Sequence, residues 1–312
     1  MHLDVAMTDL RTDPNASSTL QPTAEARPNL SDIEAWGVTH PGKVRSDNHD
    51  HFIVGQLARG VSVFATSLRH EGRIMYPERL ASIAVVADGV GSRGGGGEAA
   101  RTAVDELVRT VSRSFHAAEM ADSEGPEAFS RLLHDGALAC HEALLERGER
   151  EGSERHFATT VTFFLGLWPH AYLLQVGDSR CYVFREGELT QISRDQTLAQ
   201  DLVDQGIMTR TVAEKSRWAN VLSSAIGGGS AEPVVTRVVR DWGTVVLLCS
   251  DGLTKHVPDE LIRERLANMT GSRQVAQQLL QDALDDGGTD NITVVVGRTL
   301  PPRERRDQGS DR

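Results

Sequence analysis

Two helix-periodic segments lie back to back in this chain, and that order narrows its fold more than any other feature. Ala99, Ala103, Leu107, Val111 and Phe115 recur at helical spacing, and so do Phe129, Leu133, Ala137, Cys140 and Leu144. Short β-branched runs fall before the pair, at residues 51–54, 61–66 and 83–87. Others follow it at 159–167, 172–176, 181–184, 234–239, 245–249 and 292–296. A doubly wound parallel sheet requires strands and helices to alternate, whereas here strands cluster around a helical pair, which favours an α+β fold. Residues 159–184 read as successive antiparallel strands turning at Trp-Pro-His and Gly-Asp-Ser-Arg, and further helices are expected over 259–268 and 272–285.

With 312 residues the chain can bury a sizeable core. Residues 1–33 and 300–312 lack periodicity and read as flexible arms around one domain at 34–299. A formal charge of -11 argues against a nucleic-acid partner, since phosphate neutralisation needs a basic face. Cys140, Cys181 and Cys249 sit in apolar or helical contexts and read as buried reduced thiols, which suits the cytoplasm. No apolar run approaches the roughly 20 residues of a membrane span, and no signal peptide is recognised. A soluble cytoplasmic monomer without membrane or nucleic-acid contacts is the expectation.

The stretch AVVADGVGSRGGGGEAA at 84–100 poses a choice between nucleotide and metal. Gly89, Gly91 and Gly94 satisfy G-x-G-x-x-G between a strand and a helix, as a dinucleotide site demands. The second strand and its acidic end are missing, because another helix follows instead. Asp88 fits better as a ligand at a strand end, with Gly89 letting a metal approach its carbonyl. Asp251 follows an apolar run in the same way, and Asp290 precedes Asn291 and another. Three carboxylates at strand ends suit a hard divalent cation if one rim gathers them; singly, each reads as a solvated turn.

The ordered blocks GKVRSDNHD, VADGVGSRGGGGEAA, TTVTF, VGDSRCYVFREGELTQISRDQT, LSSAIGG, LLCSDGLT and GGTDNITVVV resemble the metal-dependent, PP2C-type serine/threonine phosphatases in their bacterial form. The resemblance covers about residues 36–296. It implies a central β-sandwich of two antiparallel sheets flanked by helical layers, with a metal centre at one end. Asp88, Asp251 and Asp290 match the metal-ligand aspartates and Gly89 the carbonyl ligand of a site for two Mn2+ or Mg2+ ions. Asp50 matches the acidic residue that orients metal-bound water, and Arg45 the phosphate-binding arginine. Asp178 matches the aspartate that can join Asp251 in holding a third, weaker ion. Phosphorylated proteins, made by a bacterial Ser/Thr kinase, are the implied substrates.

The match departs in places. His49 stands where Glu or Gln is usual, so the second metal site is expected either to gain an imidazole and favour Mn2+, or to leave His49 outside it. Val90 replaces a histidine proposed as general acid in eukaryotic members. Gln196-Thr197 replaces a more usual His-Ser pair, and residues 55–81 read as a surface insertion. Residues 202–224 look like the flap beside the active site, with Trp218 as its anchor or a peptide contact. No cysteine has an arginine at C-x5-R spacing and position 90 breaks D-x-D, which disfavours both covalent phosphatase mechanisms. The competing reading is a catalytically silent, phosphoprotein-binding relative.

Overall fold

The computed structural model describes residue 28 and residues 32–62, 74–91, 95–120, 127–151 and 157–301. In chain order the strands are β1 (Ile33–His40), β2 (Asp50–Ser62), β3 (Ile74–Val90), β4 (Ala158–Thr159), β5 (Val161–Leu167), β6 (His170–Val176), β7 (Arg180–Arg185), β8 (Glu188–Gln191), β9 (Val234–Val239), β10 (Val245–Cys249) and β11 (Ile292–Thr299). The helices are α1 (Gly95–Met120), α2 (Glu127–Glu151), α3 (Leu198–Asp204), α4 (Arg210–Glu214), α5 (Asp251–Thr254), α6 (Asp259–Ala267) and α7 (Ser272–Asp285).

The strands form two sheets. One has the order β1-β11-β10-β7-β8 and the other β2-β3-β5-β6-β9, with β4 pairing the end of β3. The strand pairs are antiparallel. Successive side chains leave a strand on opposite faces, and β3 shows the consequence. Ala84 and Val86 point inward to Phe164, Leu173, Val246, Leu248 and Val295 between the sheets. Val85 and Ala87 point outward to Leu107, Leu133 and Leu144 of the helical pair. On the other sheet Leu247 and Val294 pack outward against Ile262, Leu266, Val275 and Leu279 of α6 and α7. Strands covered on both faces read as continuous apolar runs. Each such Leu or Phe contributes about 1.5–3 kcal/mol relative to exposure. The result is the four-layer α+β sandwich that the resemblance implies.

Several boundaries differ from the sequence reading. The runs at 51–54 and 61–66 belong to one strand as far as Ser62, because β2 pairs continuously with β3 from Asp50↔Asp88 to Ser62↔Ile74 through two register shifts. The described part of the supposed insertion at 55–81 is thus an extension of this hairpin; residues 63–73 lie outside the described residues. Strand β1 was not anticipated. It is an edge strand of mixed burial, so it lacks the alternation that marks a one-sided strand. It starts at Ile33, paired with Thr299. Of the arms expected at 1–33 and 300–312, residues 1–27, 29–31 and 302–312 fall outside the described residues.

Candidate active site

Five aspartates reach one end of the sandwich because five chain segments turn there. Asp50 opens β2 and Asp88 nearly closes β3, directly opposite it. Asp178 lies in the turn between β6 and β7, Asp251 follows β10, and Asp290 precedes β11. Asp88, Asp178, Asp251 and Asp290 line one cleft with Gly89, Arg45, His49 and Lys255. Asp50 sits beneath it, only 3% exposed.

Hydroxyls fix these acids from behind. Ser250 Oγ and Thr293 Oγ1 each donate to Asp50 Oδ2 at 2.7 Å. The Asp88 backbone N–H donates to Thr160 Oγ1 at 3.0 Å, and Thr160 Oγ1 shares a 2.8 Å hydrogen bond with Ser179 Oγ beside Asp178. Asp88 O accepts from Thr160 N and Thr159 Oγ1, both at 2.9 Å. Thr159, Thr160 and Ser179 of TTVTF and VGDSR are therefore scaffolding for the acids.

Two glycines follow acids for a packing reason. A Cβ on Gly89 would collide with the Gly96 backbone at the start of α1, and one on Gly252 with the Asn291 carbonyl. The Asp-Gly pairs let one backbone cross another within contact distance. Gly89 N donates to His49 O at 3.2 Å, which fastens the 42–50 loop to the glycine stretch. Asn291 secures the same loop: its Nδ2 donates to Pro41 O and Asp47 O, and its Oδ1 accepts from His49 N at 2.8 Å. Gln196 bonds to the Gly177 turn through Oε1, which accepts from Gly177 N at 2.7 Å, and Thr197 caps α3. That gives the Gln-Thr pair a structural role.

So much negative charge in one place is costly. Burial, then the charges of Asp50, Asp251, Asp178 and Asp290, push the Asp88 carboxyl well above the usual range. Asp178 is pushed up to about 8 by burial, then by Asp251 and Asp195. Asp50 rises to about 6, chiefly by burial. Asp251 is also raised by burial, although Lys255 pulls it down. For Asp290 burial acts upward, but hydrogen bonds from Arg45 and Lys255 outweigh it and the net shift is downward.

These residues fit a divalent cation by donor chemistry. Hard carboxylate oxygens surround the cleft, and Oδ1 of Asp251 and of buried Asp50 has no hydrogen-bond partner. Yet among the described residues no three such groups converge tightly enough to form a ready coordination cage. Two cations sit among these acids. Arg45 forks onto Asp290, with Nε at 2.8 Å from Oδ1 and Nη2 at 3.1 Å from Oδ2. Lys255 Nζ lies 2.5 Å from Asp251 Oδ2 and 2.8 Å from Asp290 Oδ2. Arg45, read from sequence as a phosphate ligand, is thus an exposed partner of Asp290 at the cleft edge. His49 has its ring against Gly97 at the first turn of α1, lining both the cleft and an adjoining hollow with His51 and Glu98.

Sequence reading passed over Lys255, Ser250, Thr293, Thr160 and Asn291. Lys255 had one signal, its position four residues after Asp251 at the end of the one-turn helix α5. Within residues 202–224, Asn220 and Leu222 line the cleft, while Trp218 is half-buried with the Arg217 guanidinium 4.3 Å from its ring centroid.

Comparison with known proteins agrees with this geometry. The family model for protein phosphatase 2C matches residues 75–290. The serine/threonine protein phosphatase PstP of Mycobacterium tuberculosis is 36% identical over 217 residues, which is 69% of this chain but 40% of PstP. The match therefore spans about two fifths of that relative's length. The Listeria monocytogenes serine/threonine phosphatase stp is 29% identical over 225 residues, 72% of this chain and 87% of its own. Among solved structures, PstP/Ppp superimposes with a TM-score of 0.69 at 28% identity, covering 86% of this chain and 99% of that one. The PstP catalytic domain in complex with two manganese ions gives 0.65 at the same identity and coverage. Sequence, sandwich and acidic cleft together make this chain a member of the protein phosphatase 2C family.

Proposed function

We propose that the protein is a metal-dependent serine/threonine protein phosphatase. The observation that carries this reading is the gathering of five aspartates from remote strand ends around one cleft with an arginine at its edge. Asp88, Asp251, Asp290 and the Gly89 carbonyl would hold two Mn2+ or Mg2+ ions, and Asp178 with Asp251 a third. The mycobacterial PstP catalytic domain in complex with two manganese ions supports that ion choice. Such ions supply a nucleophilic water near neutral pH and relieve charge on the phosphoryl oxygens.

The chain's own residues do the rest. Asp50, buried beneath the cleft with one oxygen fixed by Ser250 and Thr293, keeps Oδ1 without a hydrogen-bond partner and would serve as a proton acceptor. Arg45, forked onto Asp290 at the cleft edge, carries the planar group that would hold phosphate bidentately. Val90 lies exposed at the cleft rim and has no proton to give, so the leaving-group proton must come from elsewhere. The flap residues Asn220 and Leu222 would face the substrate.

Phosphoproteins made by a bacterial serine/threonine kinase are the substrates in this reading. Three buried free cysteines support a reducing, cytoplasmic setting, and among the described residues no helix is long and apolar enough to cross a membrane. The protein acts as a monomer. The test is hydrolysis of a phosphothreonine peptide and an aryl phosphate by the purified chain with Mn2+, Mg2+ or EDTA. Metal-dependent turnover is expected. A folded protein inert with both ions on both substrates would leave a phosphoprotein-binding role instead.

A further inference from the structure

Lys255 holds the two acids that the metal reading most needs. Its ammonium bridges Asp251 Oδ2 and Asp290 Oδ2, whose residues come from different segments 39 positions apart, and its side chain is 27% exposed. It is backed by its own backbone, since Lys255 N donates to Asp251 O at 2.9 Å, which fixes the stem beside its partner. Arg45 shares Asp290 but not Asp251. The single ammonium thus ties α5 to the β11 entrance, with one oxygen of Asp251 left unpartnered beside it.

The geometry points to Lys255 as a tethered resident cation: it neutralises the acidic cleft when no metal is bound and must be displaced from Asp251 and Asp290 before a divalent ion can take those oxygens. This deepens the metal reading of the same cleft and rests on it. Unlike a free ion, the ammonium is present at a high effective concentration, because a four-carbon stem keeps it within reach. Lysine suits the task better than arginine does, being a compact point charge on a flexible stem that can swing away. The expected consequence is a protein that keeps its cleft assembled without metal and binds metal more weakly than the acid count suggests. Lys255 acts as a positioning residue and takes no part in bond making.

The test compares full-length wild type, Lys255→Met and Lys255→Arg. Mn2+ affinity is measured by calorimetry and by competition with a chromophoric chelator, and thermal midpoints are taken in EDTA and in Mn2+. Removing a unit charge a few ångströms from the ion site should tighten Mn2+ binding in Lys255→Met by roughly tenfold or more. Its midpoint should fall in EDTA and recover in Mn2+, a rescue that also guards against a simple folding defect. Lys255→Arg keeps the charge and should bind Mn2+ no more tightly than wild type. Unchanged or weaker Mn2+ binding in Lys255→Met, with wild type binding normally, overturns the resident-cation role alone. Wild type that binds no Mn2+ at all overturns the metal reading together with it.

Discussion

Asp50 and Asp88 face each other across the β2–β3 ladder, a register pair of carboxyl groups at the very end of the sheet. Directly opposed like charges destabilise a strand pair, so the hairpin is built against its own stability at this point. Replacing one charge by an isosteric amide should show both sides of that arrangement. Asp88→Asn is expected to raise the metal-free thermal midpoint, by about 2–4 °C per kcal/mol of repulsion relieved. The same variant should lose Mn2+ binding and turnover. Calorimetry in EDTA and a phosphopeptide assay check the two halves together.

The pH dependence of the metal-free protein follows from the same crowding. The folded pKa values of Asp178, about 8, and Asp50, about 6, lie above the ordinary carboxylate value of 3.8. Between those limits the folded state binds more protons than the unfolded chain, so stability falls as pH rises. The contribution is fully present below about 3.8 and is lost as pH climbs through about 6 and then about 8. Midpoints in EDTA should therefore decline from pH 5 to pH 9. Saturating Mn2+ should flatten or reverse the slope across that window, because metal binds the deprotonated acids.

Much of this site was legible because aspartates at the ends of apolar runs are a local pattern. Asp88, Asp251 and Asp290 could each be found from a few neighbouring residues, and the back-to-back helical periodicity of α1 and α2 was enough for the fold class. The supports were not legible, since Ser250 and Thr293 meet Asp50 across 200 and 243 residues of sequence. Lys255 was hidden for another reason: a lysine four residues after an aspartate is an ordinary helix-surface pair, and only the approach of Asp290 turns it into a bridge. Strand β1 went unseen because its pairing with β11, not its own pattern, makes it a strand.

Arg45 is expected to separate substrate binding from metal binding. Its fork rests on Asp290 and its side chain is 58% exposed, so the fold does not depend on it. Arg45→Lys keeps a charge but loses bidentate geometry. Loss of a charge-assisted hydrogen bond to phosphate should lower kcat/KM for a phosphopeptide by about ten- to a hundredfold. Mn2+ affinity should move little. Steady-state kinetics at saturating Mn2+, set beside calorimetric Mn2+ titration, distinguishes this from a disturbed metal centre.

Ser250 and Thr293 offer a test of orientation without a change of charge. Both hydroxyls hold one oxygen of Asp50 at 2.7 Å, and Ser250 Oγ also accepts from Thr293 N at 2.9 Å. Thr293→Val keeps the shape and removes one donor to a buried carboxylate, which should cost about 1.5–3 kcal/mol where the acid is charged. Less support for the charged form raises the Asp50 pKa further. The acidic limb of the kcat/KM–pH profile should therefore shift to higher pH in Thr293→Val, while a purely structural loss would lower activity evenly at every pH.

Gly252 tests whether the Asp-Gly pairs serve packing or the metal. Any side chain there meets the Asn291 carbonyl, and Asn291 in turn holds the 42–50 loop through Pro41 O, Asp47 O and His49 N. A methyl group at Gly252 must push β11's entrance away from α5, separating Asp251 from Asp290 and loosening the loop that carries Arg45. Overpacking of this kind costs about 1–3 kcal/mol, and here it should be felt without any metal present. Gly252→Ala is expected to lower the thermal midpoint in EDTA and to weaken Mn2+ binding as a consequence. Gly229→Ala, where an added Cβ has nothing within 4 Å, serves as the control and should do neither. If Gly252→Ala instead kept its metal-free midpoint and lost only Mn2+ affinity, the glycine would be serving the ion directly and not the crossing of two backbones.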